Sequence, residues 1–128
     1  MVRFEYEWGS GNADDYKPRP CAIIIRGNGP RVFYFPISHE PPREDDVALA
    51  IPPEARAAAG LDGFPQWVVV SRCNRADWPD GVRNIPGRAS PIYGTLPPGF
   101  LRQFRSAVAE VARRQLMRGW DRAPDKAG

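Results

Sequence analysis

Residues Phe4 to Trp8 alternate aromatic with acidic side chains, a period of two that predicts a strand with one buried and one wet face, placed at a sheet edge. The glycine and small polar residues from Gly9 to Asp15 then read as a loop, because they supply turns and offer nothing to bury. Cys21 to Ile25 and Val32 to Ile37 are continuous apolar runs, and the Asn28-Gly29 pair between them is the strongest short signal for a β-hairpin, since both residues tolerate positive φ. Val47 to Ile51 predicts a further short strand. Pro52-Pro53 at a helix start, Glu54 in its first turn and Gly60 as its stop bracket one short helix. Trp67 to Ser71 is a fourth buried strand, and from Asn74 to Pro91 the periodicity lapses into what reads as a long surface loop. Leu101, Phe104, Val108 and Val111 recur every three to four residues between arginines, predicting an amphipathic helix from about Pro98 to Arg118 with Gly119 as its C-cap. The pattern as a whole is mostly β with a C-terminal helix: one domain over residues 1–118, followed by a tail, 119–128, with too little apolar content to be held down.

Composition sharpens this picture. Fifteen prolines and twelve glycines in 128 residues are too many chain breakers for long helices and favour short strands joined by turns. A hydrophobic fraction of 42% with 26% charged residues is that of a globular chain with a real core. No run approaches the ~18 apolar residues of a membrane span, and Arg3, Glu5 and Glu7 interrupt any signal-peptide core, so a cytoplasmic protein without a membrane partner is expected. Cys21 and Cys73 lie in apolar runs, where a reduced buried thiol is the ordinary state. The net charge is only +3, but nearly all the positive charge is arginine, which suits phosphate and base recognition; an Arg-rich overall composition accounts for it equally well.

The stretch Lys17-Pro18-Arg19-Pro20-Cys21-Ala22-Ile23-Ile24-Ile25 is similar to the arginine-proline start of the second strand in the MazF/PemK toxins of bacterial toxin–antitoxin pairs. Phe35-Pro36-Ile37-Ser38 resembles that family's proline-hydrophobic-hydroxyl stretch. An Ala-rich segment ending Gly60-Leu61-Asp62, the strand Trp67-Val68-Val69-Val70 and a terminal amphipathic helix then follow in the family's order, over roughly residues 4–117. The resemblance implies an SH3-like small β-barrel with appended helices, a homodimer, and an endoribonuclease that needs neither metal nor cofactor and is restrained by an antitoxin protein.

Cutting RNA without a metal uses the neighbouring 2′-hydroxyl as nucleophile and asks the protein for a base, an acid and donors to the charge on phosphorus. Arg19 matches the family's functional arginine; its guanidinium can donate two parallel hydrogen bonds to a phosphate at any working pH, and a rim salt bridge to Asp14 or Asp15 is the alternative. Ser38 falls where the family most often has threonine, and a serine ending a strand is otherwise a turn former. His39, the only histidine, is a secondary candidate for the base, provided the strand ends or bulges so that Ser38 and His39 can face one pocket. Asp14 and Asp15, in the loop before Arg19, are further candidates. Lys17, Trp78 and Arg83 are candidate RNA contacts, Trp78 by stacking on a base. The partners implied are single-stranded RNA and an antitoxin. The competing expectation is a non-catalytic relative that shares the barrel and inhibits growth by binding a protein, as the gyrase-poisoning members of the superfamily do.

Overall fold

The computed structural model describes residues 1–8, 17–25 and 29–125. Among them are seven strands and two helices: β1 (Val2–Tyr6), β2 (Lys17–Ile25), β3 (Arg31–Ser38), β4 (Ala48–Ala50), α1 (Pro53–Ala58), β5 (Trp67–Val69), β6 (Arg72–Asp77), α2 (Pro98–Arg113) and β7 (Arg118–Asp121). The chain is mostly β, as its pattern predicts. The strands form one open sheet of order β1-β2-β3-β5-β4, with β6 on β3 and β7 on β6. Every ladder is antiparallel except β6–β7, which is parallel. Arg26 to Asn28 of the expected hairpin turn, and the loop 9–15 with Asp14 and Asp15, lie outside the described residues.

The prolines sit where the ladders need no donor. Arg3 and Glu5 turn their N–H groups outward, to the carbonyls of Pro91 and Gly81 at 2.8 Å each. Their partners across the β1–β2 ladder are Pro20 and Pro18, so the missing N–H groups of those prolines face away from β1 and cost no ladder bond. Pro36 lies inside β3, opposite Cys21 on one side. On its other side the ladder breaks: β3 pairs Ile37 with Val68 and Tyr34 with Asn74, so residues 69–73 stand opposite only residues 35–36. This bulge separates β5 from β6.

Two buried clusters follow from the two faces. In one, Phe35, Ile37, Val68 and Val70 pack beneath α2 through Phe100, Phe104, Val108 and Val111. In the other, Val2, Phe4, Tyr6, Cys21, Val32, Tyr34 and Ala76 come together, with Phe4 stacked on Tyr34 at 3.7 Å between ring centroids. Cys21 and Cys73 are free and buried.

Three expectations need correction. Helix α2 stops at Arg113, because Gln115 adopts φ 58° and the Leu116 N–H returns to the Val111 carbonyl at 3.0 Å, a Schellman-type end. Gly119 is therefore no cap; its missing Cβ leaves room for the Arg75 guanidinium. Nor does the chain fray from residue 119, for Arg118–Asp121 adds to the sheet as β7 beside Arg72–Arg75. The region 74–91 is a loop only after Asp77, and that loop covers the outer edge of β1, with Arg83 N–H bonded to the Arg3 carbonyl at 3.0 Å.

Beyond β7 the tail is tied by Asp125. Its carboxylate accepts from Arg83 at 3.1 Å and from the Gly81 N–H at 3.0 Å, and these bonds hold its pKa down at about 2. A carboxyl whose folded pKa is depressed stabilises the fold above its unfolded value of 3.8 and loses that contribution as pH falls toward about 2. Over this window the tail is expected to detach before the sheet melts, seen as loss of hydrogen-exchange protection at the Arg122 amide, which bonds the Arg75 carbonyl. Equal protection at pH 2 and pH 5 would contradict it.

Candidate functional site

A cleft of ≈ 800 Å³ lies where β2 runs out past the end of β3. Its walls come from Trp8 after β1, residues 17–20 of β2, the end of β3 and the loop on to Asp46, Gln66 and Val69 at β5, Arg72 of β6, and Arg118 and Trp120 of β7. Period-two geometry explains the first wall. Lys17, Arg19 and Cys21 pair with Tyr6, Phe4 and Val2 and share one face of β2. Along that face burial falls from Cys21, fully buried, through half-buried Arg19 to exposed Lys17, so the strand climbs out of the core into the cleft. Burial pushes the Cys21 thiol well above its usual pKa, against the opposite pull of Arg19, so it remains a thiol and is no nucleophile.

Trp8 is brought to the cleft by a buried side chain on another strand. Asn74, fully buried, accepts the Glu7 N–H at 2.7 Å and donates to the Glu7 carbonyl at 2.8 Å, continuing the backbone pairing of β1 for one residue beyond its end. The Arg19 guanidinium then lies 4.9 Å from the Trp8 ring centroid and that of Arg43 lies 5.7 Å from it. Asn74→Ala strands two backbone groups at once and is expected to destabilise the fold by about 1–3 kcal/mol for each that stays dry, measured by urea denaturation. Trp8 fluorescence should shift to the red in the same variant; an unchanged spectrum would mean Asn74 does not place Trp8.

The opposite wall is held by two acid–arginine ties. Arg72 Nε donates to Asp46 Oδ1 at 2.6 Å, with side chains 7% and 4% exposed, and Arg118 pairs with the neighbouring Asp45. Together they fasten the Pro41–Asp46 loop, which carries Arg43, to β6 and β7. Among the described residues Lys17 and Arg43 have no acidic partner within 4 Å, and against them the lining sets the single carboxylate of Glu40, so the described part of the cleft keeps positive charge after its internal pairs are made.

Strand β3 ends at Ser38, and His39 and Glu40 form a bend. That ending meets the condition under which Ser38 and His39 share a pocket, and both line the cleft. Ser38 Oγ accepts the Glu40 N–H at 3.0 Å, a local turn bond that leaves the hydroxyl proton available to donate. His39 Nε2 lies 2.8 Å from Asp62 Oδ2.

The cleft thus brings together Lys17, Arg19, Ser38 and His39 of the residues singled out from sequence. Trp78 and Arg83 do not join them. Trp78 is exposed on the loop after β6, its N–H bonded to the Pro30 carbonyl, and Arg83 is engaged by Asp125 and Glu5 beside β1. The aromatic groups that do line the cleft are Trp8 and Trp120. Trp8 carries a sequence signal, an aromatic continuing the FEYEW alternation toward a strand end; Trp120, Arg43 and Gln66 carry none, because only the β6–β7 ladder and the acid–arginine ties bring their segments here.

Comparison with known proteins finds no matching family model, no matching characterised protein and no matching solved structure.

Proposed function

We propose that this protein is a toxin-like endoribonuclease that cleaves single-stranded RNA without a metal ion, by attack of a 2′-hydroxyl on the adjacent phosphodiester. The observation that carries the reading is the convergence of Arg19 and Ser38, from separate strands, on one cationic cleft that also presents Trp8. Arg19 supplies two parallel donors to the phosphate, and Ser38 adds a hydroxyl donor to a non-bridging oxygen. Lys17 and Arg43 attract the flanking phosphates, and Trp8 in place of Trp78 offers a face for a base, an interaction worth about 1–3 kcal/mol. Within this reading the open sheet is the frame of an SH3-like barrel of MazF/PemK type, and the protein works in the cytoplasm as a homodimer neutralised by an acidic antitoxin segment in the same cleft. No helix among the described residues is long and apolar enough to cross a membrane.

A cleavage assay on single-stranded oligoribonucleotides with excess chelator tests the proposal. Cleavage is expected to leave a 2′,3′-cyclic phosphate and a 5′-hydroxyl, and to disappear when the scissile sugar is 2′-deoxy. Cleavage of the 2′-deoxy substrate, or none of the ribose one, counts against it. The second reading, a protein-binding growth inhibitor, draws on a different feature: an apolar groove of ≈ 390 Å³ between β2 and α2, lined by Met1, Ile23, Ile25 and Leu101, where Ile25 is 64% exposed.

A further inference from the structure

His39 lines the cleft from the bend after β3, and Asp62, in the segment that follows α1, lies against its ring. An exposed imidazole–carboxylate contact ordinarily wanders and contributes little. This one is anchored on its acidic side. Asp62 Oδ1 accepts the Phe64 N–H at 3.0 Å and the Gln66 Nε2 at 2.9 Å, while Gln66 also donates to the Asp62 carbonyl at 3.3 Å. Gln66 is only 3% exposed, so the group that orients the carboxylate is itself packed in place. With Oδ1 occupied, Oδ2 is the oxygen left for the imidazole, 2.8 Å from Nε2.

We propose that His39 is the general base of the cleft, positioned by Asp62 and Gln66; this rests on the ribonuclease reading above. A carboxylate accepting from Nε2 assigns the proton to that nitrogen and leaves the lone pair on Nδ1. Nδ1 takes the 2′-hydroxyl proton as the O2′–P bond forms and the P–O5′ bond breaks, and the proton then passes, directly or through water, to the departing O5′. Asp62 stabilises the imidazolium formed between these steps. Arg19 and Ser38 hold the phosphate meanwhile, so base and phosphate donors are separate residues. The other charges lining the same cleft are Lys17, Arg19, Arg43 and Glu40, together with Asp46 paired with Arg72 and Arg118 paired with Asp45.

The test compares wild type, His39→Ala and Asp62→Asn on one oligoribonucleotide with chelator present, across pH, with thermal melts as the control for folding. Asparagine at position 62 keeps an acceptor for Phe64 and Gln66 and so preserves the turn. His39→Ala is expected to lose on the order of 10²- to 10⁴-fold in rate. Added imidazole should restore part of it. Asp62→Asn should lose less, move the acid limb of the pH profile, and leave affinity for a 2′-O-methyl copy of the substrate unchanged. Wild-type cleavage matched by His39→Ala overturns the role of His39 and leaves the ribonuclease reading standing, as does a loss that imidazole does not relieve with the pH profile unmoved. A wild-type protein that cleaves no RNA overturns both.

Discussion

Arg72→Met is expected to lower the unfolding free energy by about 3–5 kcal/mol, because it leaves the carboxylate of Asp46 buried without its cation. The two side chains are 7% and 4% exposed and 2.6 Å apart, so water screens little of the attraction and can replace little of it when Arg72 is gone. Asp45, 4.0 Å from Arg72 and paired with Arg118, would hold the loop only from its exposed end. The double variant Arg72→Met, Asp46→Leu separates two explanations. Removing both charges together is often neutral, so it should recover most of the lost stability in urea denaturation. If instead the double variant is as unstable as the single one, the cost lies in packing around the arginine stem. Cleavage should fall in the single variant beyond any loss of folded protein, since the loop that presents Arg43 is freed.

Arg19→Ala is expected to slow cleavage by about 10²- to 10³-fold, the effect of deleting one donor aimed at transition-state charge. Arg19→Lys should recover only part of the rate. It restores a point charge without the planar fork that can grip two phosphate oxygens. Because the guanidinium also lies over Trp8, the comparison needs melting curves showing that all variants remain folded at the assay temperature. Arg19→Ala cleaving at the wild-type rate would remove the central element of the proposed chemistry. Retained binding of a 2′-O-methyl oligonucleotide with lost cleavage would place the arginine's contribution in the transition state rather than in substrate affinity.

These two arginines differ in how far local sequence discloses them. Arg19 sits in a Pro-Arg-Pro run whose period of two, set by buried Cys21, predicts which face it shares. Arg72 sits in a polar segment after Val70 with no periodicity. Its burial depends on Asp46, 26 residues away, and on the bulge opposite Pro36, neither of which has a local signature. The same holds for His39. Its candidacy was legible from its being the only imidazole, but its carboxylate partner was not, since Asp62 lies 23 residues on in a turn shaped by Gln66.

Hydrophobic spacing by itself determined that the chain is mostly β, that residues 21–25 and 32–37 lie in strands, and that a terminal helix buries Phe104, Val108 and Val111, while the start and stop residues Pro53, Glu54 and Gly60 marked the short helix after Pro52. These are near-neighbour properties: backbone geometry fixes which side chains share a face before any distant contact forms. Tertiary structure decided where α2 stops, because the turn at Gln115 is kept by the β7 strand it launches onto β6. It also decided the composition of the cleft. Trp8 enters through Asn74, Trp120 through a parallel ladder and Arg43 through two acid–arginine ties, each joining residues far apart in the chain. Such contacts carry a loop-closure cost that only the assembled sheet offsets, so no local pattern announces them.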